Sequence, residues 1–155
     1  MTGKEYRDLI ATYVYNNFST HGLVVYTEIT LGKTIIGKDR RIDVFVVRQH
    51  DQRAIAIECK YQDSKGTVDE KIPYALQDLE ALRVPGCLVY GGEGWSSGVL
   101  HTLAASHLAA YCLPDPVLWA RTERTIELDH ALASIFGLWD VILPPTRIFH
   151  PPSST

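Results

Sequence analysis

The chain has 155 residues, 46% of them hydrophobic and 21% charged, with 15 Lys plus Arg against 18 Asp plus Glu and a net charge of −3. This suits a single soluble domain with a real core, and it excludes a disordered chain, a coiled coil, a collagen-like repeat and a wholly basic nucleic-acid coat. Cys59, Cys87 and Cys112 lie far apart in apolar stretches without a Cys-x-x-Cys pair, and they read as reduced core thiols of a cytoplasmic protein.

The first element is a helix over Thr2–Phe18, with Tyr6, Leu9, Ile10, Tyr13, Val14 and Phe18 at helical spacing and Thr2 with Glu5 spaced as a capping box. Leu23–Leu31, rich in Val, Thr, Ile and Tyr, reads as a strand. Gly32–Arg40 is a basic turn, and Arg41–Arg48 and Arg53–Lys60 are two further strands joined by Gln49–Gln52. Thr67–Leu82 reads as a second helix, with Thr67 and Glu70 as another capping box and Pro73 near its first turn. Gly86–Tyr90 is a short apolar strand and Trp95–Tyr111 a third helix, followed by short pieces at Val117–Ala120, Asp129–Phe136 and Val141–Leu143. Gly94–Pro114 lacks Asp, Glu, Lys and Arg, but its serines and histidines make it too polar for a membrane span. Met1–Asp8 is too polar for a signal peptide. The expectation is one α/β domain over residues 1–149, a mixed central sheet flanked by helices, and a flexible tail at 150–155.

Two strands carry charge where a buried strand avoids it. Asp43 interrupts the apolar run Ile42–Val47, and Ala54–Lys60 ends in Glu58 and Lys60. Side chains alternate along a strand, so Glu58 and Lys60 share a face with the small Ala54 and Ala56, while Ile55, Ile57 and Cys59 take the other. Adjacent antiparallel strands would bring Asp43 beside Glu58, where two carboxylates repel unless a cation lies between them. Two hard carboxylates suit Mg2+, which keeps several of its waters, and a neighbouring lysine can hold a phosphate oxygen or a water. The chemistry this predicts is metal-assisted phosphodiester hydrolysis. The plainer alternative pairs each carboxylate with an arginine such as Arg40 or Arg41. The cost of burying charge inside adjacent strands weighs against it.

Asp43 and, fifteen residues on, Glu58 within Ile57-Glu58-Cys59-Lys60 resemble the signature of the PD-(D/E)xK nuclease superfamily. The order helix, three strands, helix, strand over Thr2–Tyr90 is similar to that superfamily's restriction-endonuclease-like αβββαβ core. The proline that often precedes the Asp is Ile42 here. The resemblance implies Asp43 and Glu58 as metal ligands, Lys60 as the catalytic lysine, and Mg2+ as cofactor with Mn2+ able to substitute. Junction resolvases and related nucleases of the superfamily add a glutamate from the first helix, which makes Glu5 a further metal-ligand and catalytic candidate, with Glu28 as an alternative. Several branches place a glutamine near the site, which singles out Gln62 and Gln77.

Residues 1–71 carry net charge +1 and residues 72–155 net charge −4, so the nucleic-acid face is expected in the first half. Lys33, Lys38, Arg40, Lys65, Lys71 and Gln77 are the candidate nucleic-acid contacts. The expected function is a Mg2+-dependent endodeoxyribonuclease of restriction or homing type, acting on DNA as a homodimer or higher homo-oligomer. The alternatives are a Holliday-junction or other structure-specific resolvase and a non-catalytic nucleic-acid-binding module.

Overall fold

In the computed structural model, which describes residues 1–153, the chain begins with helix α1, Gly3–Phe18. Thr2 Oγ1 accepts from the Glu5 N–H at 3.1 Å and the Glu5 carboxylate accepts from the Thr2 N–H at 2.6 Å, so the expected capping box is present. Tyr6, Ile10, Tyr13, Val14 and Phe18 form its buried face, and each such side chain withdrawn from water contributes roughly 1.5–3 kcal/mol.

Strands β1 (Leu23–Lys33), β2 (Asp39–Arg48) and β3 (Ala54–Tyr61) form the expected antiparallel meander. Helix α2 (Ile72–Glu80) then crosses over to β4 (Gly86–Gly91), which pairs in parallel with β3. Helix α3 (Ser97–Ala105) leads to β5 (Ala109–Tyr111), parallel to β4, and helices α4 (Ile126–Phe136) and α5 (Trp139–Ile142) follow. The result is a mixed five-stranded sheet in the order β1-β2-β3-β4-β5, flanked by helices, the α/β architecture expected. Cys87 and Val89 of β4 pack with α1 and α4, and Leu88 and Tyr90 pack with α2 and α3, so β4 is apolar on both faces. The three thiols are buried and unpaired, and burial pushes that of Cys87 up to about 12. Among the described residues no helix is long and apolar enough to cross a membrane. Residues 154 and 155 of the expected tail lie outside the described residues.

Two expected helices end differently. The second does not begin at Thr67: a 3-10 turn, Val68–Lys71, precedes α2, and Thr67 makes no side-chain cap. A helix from Thr67 would need an N–H from Pro73 in its interior, and proline has none, so Pro73 falls in the first turn of α2 instead. The third helix stops at Ala105, and Ala109–Tyr111, expected as its last turn, is a strand. An apolar run of that length fits either state. Pairing with β4 decides it, with Leu88 N–H donating to Leu108 C=O at 2.6 Å and Cys112 N–H donating to Tyr90 C=O at 2.9 Å.

The loop after β4 lies directly on the loop after β3. Gly94 N–H donates to Gln62 C=O at 2.8 Å, and a Cβ on Gly92, whose φ is +91°, would stand 2.3 Å from that same oxygen. Gly92→Ala is therefore expected to destabilise the fold by about 2–4 kcal/mol, since neither backbone can yield without losing its bonds. Gly98 in α3 has open space, so Gly98→Ala should be neutral or stabilise by up to ~1 kcal/mol. Urea unfolding of the two variants checks both.

Candidate active site

The β2–β3 ladder runs from Val47↔Ala54 to Val44↔Ile57. Beyond it Asp43 Oδ2 accepts the Cys59 N–H at 2.8 Å, so a side chain satisfies the backbone donor and the two strands part. On the other side of Asp43 the β1–β2 register continues from Thr27↔Val44 to Ile29↔Ile42 but leaves Glu28 and Asp43 unpaired between them. Glu28 between them has φ +53°, a left-handed conformation that costs a non-glycine residue on the order of 1 kcal/mol. Its carboxylate turns to Arg7, with which it forms an ion pair, and to Arg41 at 3.5 Å.

These two irregularities open a cavity of about 260 Å³, in which Asp43, Glu58 and Lys60 meet Glu28, Arg7, Arg41 and Lys4. Alternation along β3 sends Ile57 and Cys59 into the core and leaves Glu58 and Lys60 at the cavity, with Lys60 Nζ donating to Glu58 Oε1 at 2.9 Å. Burial raises the Asp43 carboxyl above its ordinary value, opposed by the Cys59 N–H and by the charges of Lys60, Arg7 and Arg41. Burial also raises Glu58; the Lys60 ammonium opposes the rise, and the Asp43 charge adds to it. Paired carboxylates pushed upward in a cleft mark a functional site, and a bound cation reverses both shifts. The plainer arginine pairing does not occur, because Arg40 binds Asp78 and Arg41 binds Glu28.

The donor set fits a hard divalent cation. Among the described residues no three His, Cys, Asp or Glu side chains cluster tightly enough to cage an ion. A cation at Asp43 and Glu58 would therefore keep much of its water, as Mg2+ prefers.

The remaining candidates sit elsewhere. Glu5 is held by the capping box, exposed at the start of α1 and outside the cavity lining, so the metal-ligand and catalytic roles expected of it are corrected. Glu28, the alternative, lines the cavity. Gln62 is also corrected: its amide is consumed in the scaffold, donating to Asp69 Oδ1 at 2.8 Å and Gly94 C=O at 2.9 Å and accepting the Val68 N–H at 3.0 Å. It accepts from the first N–H of the 3-10 turn, where Thr67 was expected to cap the second helix. Arg40 is corrected as a phosphate contact, being 8% exposed and bound through two nitrogens to Asp78 at 2.9 and 3.0 Å. Lys33 pairs with Asp39, and Gln77 is exposed on α2 outside the cavity. Lys38 and Lys65 are exposed, and Lys71 lines a second cavity beside the first.

Sequence reasoning did not find Arg7 or Lys4, and named Arg41 only as an alternative partner for the carboxylates. Arg7 had a signal: it follows the buried Tyr6 and shares a helical face with Ile10, Ala11 and Val14, an unusual place for a cation without a partner.

A family model described as the PD-(D/E)XK nuclease superfamily domain matches residues 2–139. No curated protein matches the sequence. Among solved structures, the crystal structure of a "Protein of Unknown Function AF1548" aligns at 15% identity with a TM-score of 0.41. That alignment covers 64% of this chain and 53% of the other, so this chain spans about half of the solved one.

Proposed function

Because the chain belongs to the PD-(D/E)XK nuclease superfamily, we propose that it is a Mg2+-dependent endodeoxyribonuclease that hydrolyses DNA phosphodiester bonds. One observation carries this reading: Asp43, Glu58 and Lys60 line a single cavity where the β2–β3 ladder breaks. Asp43 and Glu58 would hold the divalent ion. Bound there, Mg2+ supplies charge stabilisation at the phosphoryl group and a more acidic water. Lys60 projects its ammonium into the same cavity and serves to orient the attacking water or a non-bridging phosphate oxygen. Arg7 and Lys4, on the first turns of α1, supply further positive charge to hold the substrate backbone. Glu28 keeps Arg7 and Arg41 directed at the cavity when no substrate neutralises them.

A restriction- or homing-type cutter must cleave both strands of a duplex, and a homodimer would supply two such sites. The exposed Ile126, Trp139, Leu143, Ile148 and Phe149 give the C-terminal half apolar surface for that contact. The buried free thiols fit a reducing compartment such as the cytoplasm.

Incubation of the full chain with supercoiled plasmid tests the reading. Nicked or linear product is expected with Mg2+ and with Mn2+ and none in EDTA. Salt-dependent DNA binding without cleavage in either metal would instead favour a binding module on the same fold.

A further inference from the structure

A second cavity of about 400 Å³ opens beside the first, and Arg41, Glu58 and Lys60 line both. A group that enters it is therefore close enough to be joined to a phosphate held at Lys60. Its volume lies in the range of small-molecule pockets, roughly 300–1,000 Å³.

Its walls differ from those of the first cavity. Ile42, Ala75 and Leu79 give it an apolar lining, and Tyr74 of α2, 38% exposed, stands at its edge. One charge pair set into it is already neutralised. Arg40 takes both oxygens of Asp78, and Asp78 Oδ1 also accepts the Ile35 N–H at 3.1 Å. That pair offers a phosphate little, and the apolar wall of Ile42, Ala75 and Leu79 favours a flat neutral ring. Glu70 and Lys71 also line the cavity and have no side-chain hydrogen bond or ion pair among the described residues. An acceptor and a donor thus remain for the polar edge of such a ring.

We propose that this cavity receives one unstacked nucleobase next to the scissile phosphate, packed against the Tyr74 ring. The preferred substrate is then an unpaired nucleotide, either in a single strand or extruded from a duplex. This rests on the nuclease reading for its phosphate and on the second cavity for its base. Aromatic packing is the usual way a protein holds an unpaired base, and extrusion is how an enzyme reaches one inside a duplex.

The test uses oligonucleotides with one 2-aminopurine, as a single strand and as a paired duplex, titrated with the full chain in Ca2+. Stacking on Tyr74 is expected to quench the single-stranded probe. Tyr74→Phe should retain the quench, and Tyr74→Ala should abolish it and weaken binding about 10-fold, the scale of one base–aromatic stack. Tyr74→Leu keeps apolar bulk without the ring and is expected to behave like Tyr74→Ala. A fluorescence change in the single strand alone supports the single-strand source, and a change in the duplex probe supports extrusion. Binding of both probes with no fluorescence change, or a quench that survives Tyr74→Ala and Tyr74→Leu, overturns the proposal. If no probe is cleaved in Mg2+ while the Tyr74-dependent quench persists, the nuclease reading fails and the base cavity stands.

Discussion

Lys60→Ala is expected to slow phosphodiester cleavage by about 10²–10⁴-fold, the range for removing a group that orients or stabilises charge in a transition state. The ammonium is the only lysine charge on β3, and it already hydrogen-bonds the Glu58 carboxylate at 2.9 Å in the cavity that also holds Asp43. Its loss should leave the Asp43 and Glu58 carboxylates, the proposed cation ligands, in place. Divalent-ion binding, read by calorimetry or by the shift in thermal midpoint, is expected to change much less than the rate. Lys60→Arg keeps a positive charge but replaces a compact ammonium with a planar fork, so it should recover only part of the activity. Single-turnover cleavage at saturating Mg2+ separates chemistry from binding. A Lys60→Ala rate within about 5-fold of wild type would remove Lys60 from the chemistry and return its role to neutralising Glu58.

The sheet was legible because its signals are local. Alternation along Ala54–Tyr61 sorts Ile55, Ile57 and Cys59 from Glu58 and Lys60, and the short links between the first three strands leave little choice but a meander. The Thr2–Glu5 capping box was equally local, and that locality misled the reading of Glu5. A residue that satisfies a cap at the helix start is not also free to turn into the sheet. What stayed hidden depends on partners distant in sequence. Arg40 is silenced by Asp78, 38 residues away, and Gln62 is absorbed by Gly94, 32 residues away. No window of sequence around Arg40 contains Asp78, and a window around Gln62 holds Asp69 and Val68 but not Gly94. The fifth strand was missed for the same reason, since only the adjacent edge of β4 turns the run Ala109–Tyr111 from helix to strand. The Glu28 kink is the least legible feature: a left-handed glutamate in a strand has no sequence signature, yet it directs Arg7 and Arg41 at the cavity.

Asp43→Asn and Glu58→Gln are expected to abolish metal-dependent cleavage and, in the same proteins, to raise the stability of the metal-free chain. The argument is one of linkage. Burial raises both carboxyls above their unfolded values, so over that interval the folded chain binds more protons than the unfolded one. The favourable contribution is fully present in acid, below the unfolded carboxylate range near pH 4, and is lost as pH rises through the raised folded values. At neutral pH the wild type therefore carries two anions that its fold disfavours, and the neutral amides do not. In Asp43→Asn the side-chain carbonyl oxygen can still accept the Cys59 N–H, so the fork between β2 and β3 keeps its bond. Each amide should stabilise the metal-free chain by about 1 kcal/mol, typical of relieving a functional site, or roughly 2–4 °C at this length. The gain over wild type should shrink toward zero as pH falls to 4 and below, where the wild-type carboxyls are protonated. Adding Mg2+ should reverse the order, raising the wild-type midpoint and leaving both variants nearly unmoved, because only the carboxylates bind the ion tightly. Thermal melts across pH, with Mg2+ and with EDTA, read all of this without any nuclease assay. Variants less stable than wild type at neutral pH in EDTA would show that Asp43 and Glu58 stabilise the fold as anions, and the site would then be an ion-pair network before it is a metal centre.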